Sequence, residues 1–274
     1  MNLTEFTSLQ TLTHIFTESF TEPTLSKTNW TIAGSTCKNA NPTMGQLYLN
    51  ETASYSTKSV AITNNTLSIS AINFPVALAT CKSDFDIPNV SKNYSSTRIH
   101  SNTCYSHGVF SVRAKMPNGV YTWPAIWLQC FNCTDAETEY FEIDLIETYG
   151  PKLGYSGEMS AFYSEYTSST HSENFIDESY DLIDAFHEYT VVWVAGYIGF
   201  YVDGVEIGSG FNYSGIEEAV MRFDNASACA VLNINLAIEG KARDGIAPNY
   251  TQLAGDQESW TPLEIKSVNI YQVI

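Results

Sequence analysis

Apolar and polar residues alternate in short runs from about residue 29 to the end of the chain, and Gly, Asn, Pro and Ser cut the runs apart. Thr66-Leu67-Ser68-Ile69-Ser70-Ala71 is the cleanest, with Leu67, Ile69 and Ala71 on one side, the period-two pattern of a half-buried strand. Runs of the same kind fall at 58–62, 66–71, 108–115, 157–163, 189–194, 199–202, 231–237 and 265–271. Only 4–16 and 215–222 read as short amphipathic helices. Many strands separated by turn signals, with no low-complexity linker and no internal repeat, predict an all-β sandwich or barrel, counted as a single domain over 1–274.

One run breaks the alternation in an informative way. In Tyr140-Phe141-Glu142-Ile143-Asp144-Leu145-Ile146-Glu147-Thr148, Glu142 and Asp144 fall on one face of a regular strand. Glu147 lies five positions after Glu142, so a regular strand turns it to the other face. One extra residue accommodated as a bulge within Leu145-Ile146 brings it back. Three carboxylates then line one face. A solvated acidic strand face is the plain alternative. Like charges stacked on a pleated face repel, however, and they raise the proton affinity of at least one member, which acid–base chemistry needs.

The 274 residues are 44% hydrophobic, enough for a sizeable core, and the net charge is −17. That charge excludes nucleic acid and anionic membranes as partners and favours a neutral substrate. Ten of the twenty Asn begin an N-x-[ST] sequon: Asn2, Asn29, Asn50, Asn64, Asn89, Asn93, Asn132, Asn212, Asn225 and Asn249. Chance at this Ser and Thr content gives roughly four, so the excess predicts a secreted glycoprotein. The six cysteines, Cys37, Cys81, Cys104, Cys130, Cys133 and Cys229, suit disulfides in that compartment. Six allow fifteen pairings, which stay open. No apolar run is long enough to span a membrane. Residues 1–19 lack the apolar core and basic start of a leader, so the chain is expected to be a mature form acting as a monomer.

The acidic strand resembles the E-x-D-x-x-E signature of glycoside hydrolase family 16, here Glu142, Asp144 and Glu147. The spacing is that of the bulged branch, which includes laminarinases, agarases and carrageenases. Other segments support the resemblance from about residue 17 to 272. Gly108-Val109-Phe110-Ser111-Val112-Arg113-Ala114-Lys115-Met116-Pro117 and Trp123-Pro124-Ala125-Ile126-Trp127 are similar to the family's G-x-F-x-x-R-A-K-x-P and W-P-A-x-W. Phe186-His187-Glu188-Tyr189 with Trp193, Phe200-Tyr201-Val202-Asp203-Gly204, and Leu232-Asn233-Ile234-Asn235-Leu236-Ala237 match in their turn. Phe141 stands where the family has a Gly, and 136–139 where it has a Trp, so the resemblance implies a cleft wall of different shape.

What the resemblance implies is a concanavalin A-like β-jelly-roll sandwich of two antiparallel sheets with a concave substrate cleft. Glu142 is the expected nucleophile, Glu147 the general acid and then base, and Asp144 the residue between them that helps keep the nucleophile ionised. Trp123 and Trp127 stand as subsite floors or as core aromatics, because a sugar's C–H face stacks on an indole. Arg98, Asn235 and Tyr163 are further substrate-contact candidates, with a structural role equally open to Arg98 and a packed-aromatic role ahead of substrate contact for Tyr163. The expected activity is endo-hydrolysis of β-1,3 or mixed β-1,3/1,4 bonds in a neutral β-glucan with retention. A β-galactan or agar-type hydrolase, a transglycosylase and a non-catalytic β-glucan-recognition protein are the alternatives. No cofactor is required, and the family likeness allows a structural calcium ion.

Overall fold

A computed structural model describes residues 3–4, 11–32, 53–55, 59–72, 76–77, 91–92, 94–119, 122–130, 140–148, 157–163, 170–176, 179–225, 229–238 and 260–273. Their strands, in chain order, begin with β1 (Leu12–Glu18), β2 (Trp30–Ile32), β3 (Ala53–Tyr55), β4 (Val60–Thr63) and β5 (Thr66–Ile69). Next come β6 (Val76–Ala77), β7 (Ser91–Lys92), β8 (Tyr94–Ser96), β9 (Arg98–Ser101) and β10 (Gly108–Lys115). The middle of the chain supplies β11 (Thr122–Cys130), β12 (Glu142–Thr148), β13 (Gly157–Phe162), β14 (Thr170–Ile176) and β15 (His187–Val194). The last are β16 (Tyr197–Val202), β17 (Val205–Glu206), β18 (Phe211–Asn212), β19 (Ala230–Ile238) and β20 (Leu263–Val273).

β3 pairs with β8 in parallel and β6 with β7 antiparallel, while the other sixteen strands build two antiparallel sheets. One is nine-stranded, in the order β17-β16-β15-β10-β20-β5-β4 with β1 added to β20 and β18 to β16. The other is seven-stranded, in the order β14-β13-β12-β11-β19-β9-β2. The core lies between them and follows directly from the alternation. Phe110, Val112 and Ala114 of β10 and Tyr189, Val191 and Trp193 of β15 point inward from the nine-stranded sheet. Ile126 and Leu128 of β11 and Leu232, Ile234 and Leu236 of β19 point inward from the other. All are buried at 0–1% exposure. A strand that buries one face keeps one register, since a slip of one residue would expose every core side chain.

Turn chemistry fixes the edges. Asp203 and Gly204, between β16 and β17, both have positive φ, 50° and 78°, as a type I′ hairpin turn requires. Asn64 and Asn65 do the same between β4 and β5, with φ of 51° and 55°. The 215–222 helix is present as α1 (Glu217–Phe223), with Glu217 and Glu218 in its first turn and Arg222 in its last, complementing the helix dipole. The helix expected at 4–16 does not reach its C-terminal part: Leu3 and Thr4 are helical, 5–10 lie outside the described residues, and Leu12–Glu18 is a strand, paired with β20 from Leu12↔Val273 to Glu18↔Val268. Four β-branched residues in 11–17 stiffen this segment against a helix, and the edge of β20 offers it a complete ladder. On the outer side of the nine-stranded sheet, Val109, Val192 and Tyr201 form a small second apolar cluster with Leu3, Leu12, Val194 and Tyr271. Among the described residues no helix is long and apolar enough to cross a membrane.

Candidate active site

The outer face of the seven-stranded sheet is where the polar residues gather. Pairing sets them in rows across the strands. Asp144 of β12 lies between Ser160 of β13 and Trp127 of β11, and Trp127 continues to Asn233 and His100. A second row runs Glu158, Glu147, Ala125, Asn235, Arg98. The two rows fit one face only because β12 is bulged. Ile126 and Trp127 of β11 are adjacent, but their partners Ile146 and Asp144 are two apart, so Leu145 is the extra residue. The same shift appears against β13 between Asp144 and Glu147. Ile143, Leu145 and Ile146 all go to the core, which leaves Glu142, Asp144 and Glu147 together on the outer face.

Each of the three carboxylates has a defined hydrogen bond. The Tyr140 hydroxyl donates to Glu142 Oε2. The Ser160 hydroxyl donates to Asp144 Oδ2 at 2.6 Å. The Trp123 indole N–H donates to Glu147 Oε1 at 2.8 Å. Asp144 is 1% exposed, and burial, followed by the charges of Glu142 and Glu147, pushes its pKa well above the ordinary carboxylate value. The bond from Ser160 opposes this rise and a fourth carboxylate, Glu158, adds to it. A site with one carboxyl held protonated beside others is built to hold and pass a proton.

The remaining sequence candidates divide. Trp123 is half-buried on the outer face, with its N–H on Glu147. Trp127, Arg98 and Asn235 do reach the same face, but as a buried layer beneath it. The Arg98 guanidinium lies 4.8 Å from the Trp127 ring centroid, and its N–H groups donate to Asn233 Oδ1 at 2.9 and 3.1 Å and to Gln129 Oε1 at 3.0 Å. Trp127 Nε1 donates to Asn235 Oδ1 at 2.7 Å. With exposures of 2%, 6% and 6% for Arg98, Trp127 and Asn235, these groups satisfy one another, as buried polar groups must. They form a hydrogen-bonded layer at the base of this face.

Tyr163 is corrected outright. It sits in the core, stacked on Phe211 at 6.3 Å and edge-on to Phe223 at 6.5 Å. The alternation of β13 explains it: Glu158, Ser160 and Phe162 pair with Glu147, Asp144 and Glu142, while Gly157, Met159, Ala161 and Tyr163 face inward. Phe162 is therefore the residue beside Glu142. Phe141 is likewise a core residue at 1% exposure, packed on Trp193 and Phe223, so this departure from the family alters the packing beneath β12 and not the cleft wall.

Tyr140, Ser160 and Glu158 were missed by the sequence reading. Tyr140 could have been found, since it lies two residues before Glu142 and period two puts both on one face. Ser160 and Glu158 could not, because which strand pairs with β12 is not written in either segment. The Cys104–Cys229 disulfide ties the start of β10 to β19 across 125 residues, beside the Tyr105↔Ala230 bridge. Cys130 is also disulfide-bonded. Sequons Asn64, Asn212 and Asn225 are exposed and Asn29 is half-buried. Residues 136–139, 166 and 239–240, Cys37, Cys81 and Cys133, and the remaining six sequons lie outside the described residues. Among the described residues no group of three or more His, Cys, Asp or Glu is placed to hold a metal ion.

Two antiparallel sheets packed face to face, one carrying a bulged row of carboxylates on its outer side, make a concanavalin A-like jelly roll with a hydrolase-type acid site. The family model for glycosyl hydrolases family 16 matches residues 28–227, and the chain belongs to that family. It is 28% identical over 205 residues to glucan endo-1,3-beta-glucosidase A1 of Niallia circulans, covering 72% of this chain and 29% of that protein. It is 30% identical over 118 residues to a beta-1,3-glucan-binding protein of Penaeus monodon, covering 39% and 32%. The chain thus spans about a third or less of the length of these relatives. Among solved structures it is similar to the endo-beta-1,3-glucanase of Pyrococcus furiosus, with a TM-score of 0.73 at 21% identity and coverage of 97% and 96%, a likeness of fold.

Proposed function

We propose that the chain is a retaining, endo-acting β-glucanase that cleaves β-1,3 or mixed β-1,3/1,4 bonds in a neutral glucan. The observation that carries this reading is the bulge at Leu145, which gathers Glu142, Asp144 and Glu147 on one face. Retention requires the two carboxyl groups to stand about 5–5.5 Å apart, so that one attacks the sugar rather than activating a water between them. Glu142 attacks the anomeric carbon and Glu147 protonates the departing glycosidic oxygen. In the second half, Glu147 takes a proton from water, which displaces Glu142 from the sugar with the original configuration restored.

The Trp123 N–H on Glu147 Oε1 and the Tyr140 hydroxyl on Glu142 Oε2 support this reading by orienting the two carboxyl groups. Asp144, whose proton affinity is raised by burial and its neighbours, hydrogen-bonds Glu142 in this reading and helps keep it ionised. The half-buried Trp123 ring stacks on the sugar at the point of cleavage. The exposed sequons and the disulfides support secretion.

Reducing-end release from laminarin is the test, with lichenan, agarose and carrageenan in parallel and Glu142→Ser as control. Release from laminarin that falls about 10⁴-fold or more in the variant is the expected result. Cleavage of a galactan alone would overturn the substrate, and glucan binding with no cleavage would favour a recognition protein of the kind seen in Penaeus monodon.

A further inference from the structure

Tyr140 and Phe141, the two residues that lead into β12, are docked on α1. The Phe141 ring packs on Phe223 at 5.3 Å between centroids. Arg222 Nη1 donates to the Tyr140 carbonyl oxygen at 3.1 Å, across 82 residues of sequence. Arg222 is 5% exposed, and its Nη2 donates to Glu218 Oε1 at 2.7 Å, one helical turn back. The helix is pinned in its turn, because Asp224 at its C-terminal end accepts from the Gly196 N–H at 2.9 Å and from the Tyr213 hydroxyl at 2.6 Å. A buried guanidinium needs its donors matched to acceptors, so the reach of Arg222 to this one carbonyl is a fixed feature of the fold.

Tyr140 links that anchor to the site. Its carbonyl is held by Arg222 and its hydroxyl donates to Glu142 Oε2. Across the sheet Glu142 lies opposite Gln129 on β11 and Phe162 on β13, neither of which is charged. The charged groups on the surrounding strands are Asp144 and Glu147 beside it, Glu158 on β13, and Arg98 on β9, which is bonded to Gln129. Charges on the other carboxyls oppose a charge on Glu142, whereas the Tyr140 hydroxyl favours it.

We infer that Arg222 is a positioning residue for the nucleophile: it fixes the main chain of Tyr140 so that the Tyr140 hydroxyl stays on Glu142, and that bond favours release of the sugar from Glu142. The inference rests on the glucanase reading. In the first half of the reaction a bond forms between Glu142 and the anomeric carbon as the glycosidic bond breaks, and the Glu147 proton goes to the departing oxygen. In the second half the water oxygen bonds to the anomeric carbon, and the water proton goes to Glu147. The bond to Glu142 breaks, and its electron pair returns to the carboxylate. A donor stabilises the carboxylate more than the ester, because hydrogen bonds to charged acceptors are the stronger. Tyr140 thereby makes Glu142 a better leaving group, and loss of its bond slows the second half.

Tyr140→Phe, Arg222→Met and the double variant test this on a dinitrophenyl β-laminaribioside, whose good leaving group makes the second half rate-limiting. With working sites counted from the burst of dinitrophenol, kcat should fall about tenfold in Tyr140→Phe and about threefold in Arg222→Met. KM should fall in step, as it does when the covalent intermediate accumulates. In the Tyr140→Phe background Arg222→Met should add little. A carbon-13 titration of the glutamate carboxyls, with Glu142 identified by its absence in Glu142→Ser, reads the same contact without any sugar. Its signal should titrate at higher pH in both single variants. A loss that vanishes once sites are counted, or one just as large in the Tyr140→Phe background, would overturn the inference. Cleavage of laminarin by the unaltered chain, with the Glu142 titration unmoved by Arg222→Met, would sink the inference alone. A moved titration with no cleavage of any glucan would sink the glucanase reading and leave the hold of Arg222 on Glu142 standing.

Discussion

The two sheets contribute matching faces to one core and opposite kinds of outer face. Outside the nine-stranded sheet, Lys115 Nζ is paired with Glu264 at 2.6 Å, and Val109, Val192 and Tyr201 are packed with Leu3, Leu12, Val194 and Tyr271. Outside the seven-stranded sheet, Glu142, Glu147 and Glu158 all press on the buried Asp144. A surface arranged for stability pairs its charges and covers its apolar groups. One arranged for proton transfer keeps like charges together and bears the cost. The difference locates the site independently of any likeness to other proteins, and it can be tested from either side.

Asp144→Asn probes the cost most directly. The folded-state pKa of Asp144 is raised above 3.8, so the native protein binds this proton more readily than the unfolded chain does. The group's favourable contribution is present below the unfolded pKa and is lost as pH rises through the folded pKa. At pH 7 the asparagine variant should therefore melt higher, by about 2–4 °C, and the gap should close as pH falls toward 4. Activity should drop about 100-fold, the loss expected when a group tuning acid–base catalysis is removed. Melting curves at several pH values decide it; a variant less stable than the parent at pH 7 would show that the Ser160 bond outweighs the repulsion.

Trp123→Phe comes next in size. Phenylalanine keeps an aromatic face for the sugar and loses the N–H that Glu147 Oε1 accepts. A hydrogen bond to a carboxyl group is worth about 1.5–3 kcal/mol, so kcat should fall at least about tenfold with KM little changed. A loss confined to KM would mean that the indole acts by stacking alone.

How far the sequence reveals these two faces depends on what each feature needs. The bulge is local: five positions from Glu142 to Glu147 with two apolar residues before the last carboxylate demand it, and it lies at Leu145. The hairpin at Asp203-Gly204 is local too. The strand at Leu12–Glu18 is not, since its partner β20 lies at the far end of the chain. Arg98, Trp127 and Asn235 show the middle case. Their residue types rightly place them on the polar face, but only the order β11-β19-β9 brings them close enough to satisfy one another. Tyr163 failed on parity, by one residue, because the register of β13 is set by β12.

The smallest effect belongs to the paired face. Lys115→Met removes one partner of Glu264 while keeping a long apolar stem. Lys115 and Glu264 are 23% and 24% exposed, so water already screens their attraction, and such pairs contribute about 0–1 kcal/mol. The variant should melt within about 3 °C of the parent, the difference should shrink in high salt, and activity should hold, since the pair lies on the sheet that carries no carboxylate row. A large loss of activity without a loss of stability would break the division between the two faces, because it would couple the outer side of one sheet to the chemistry on the other.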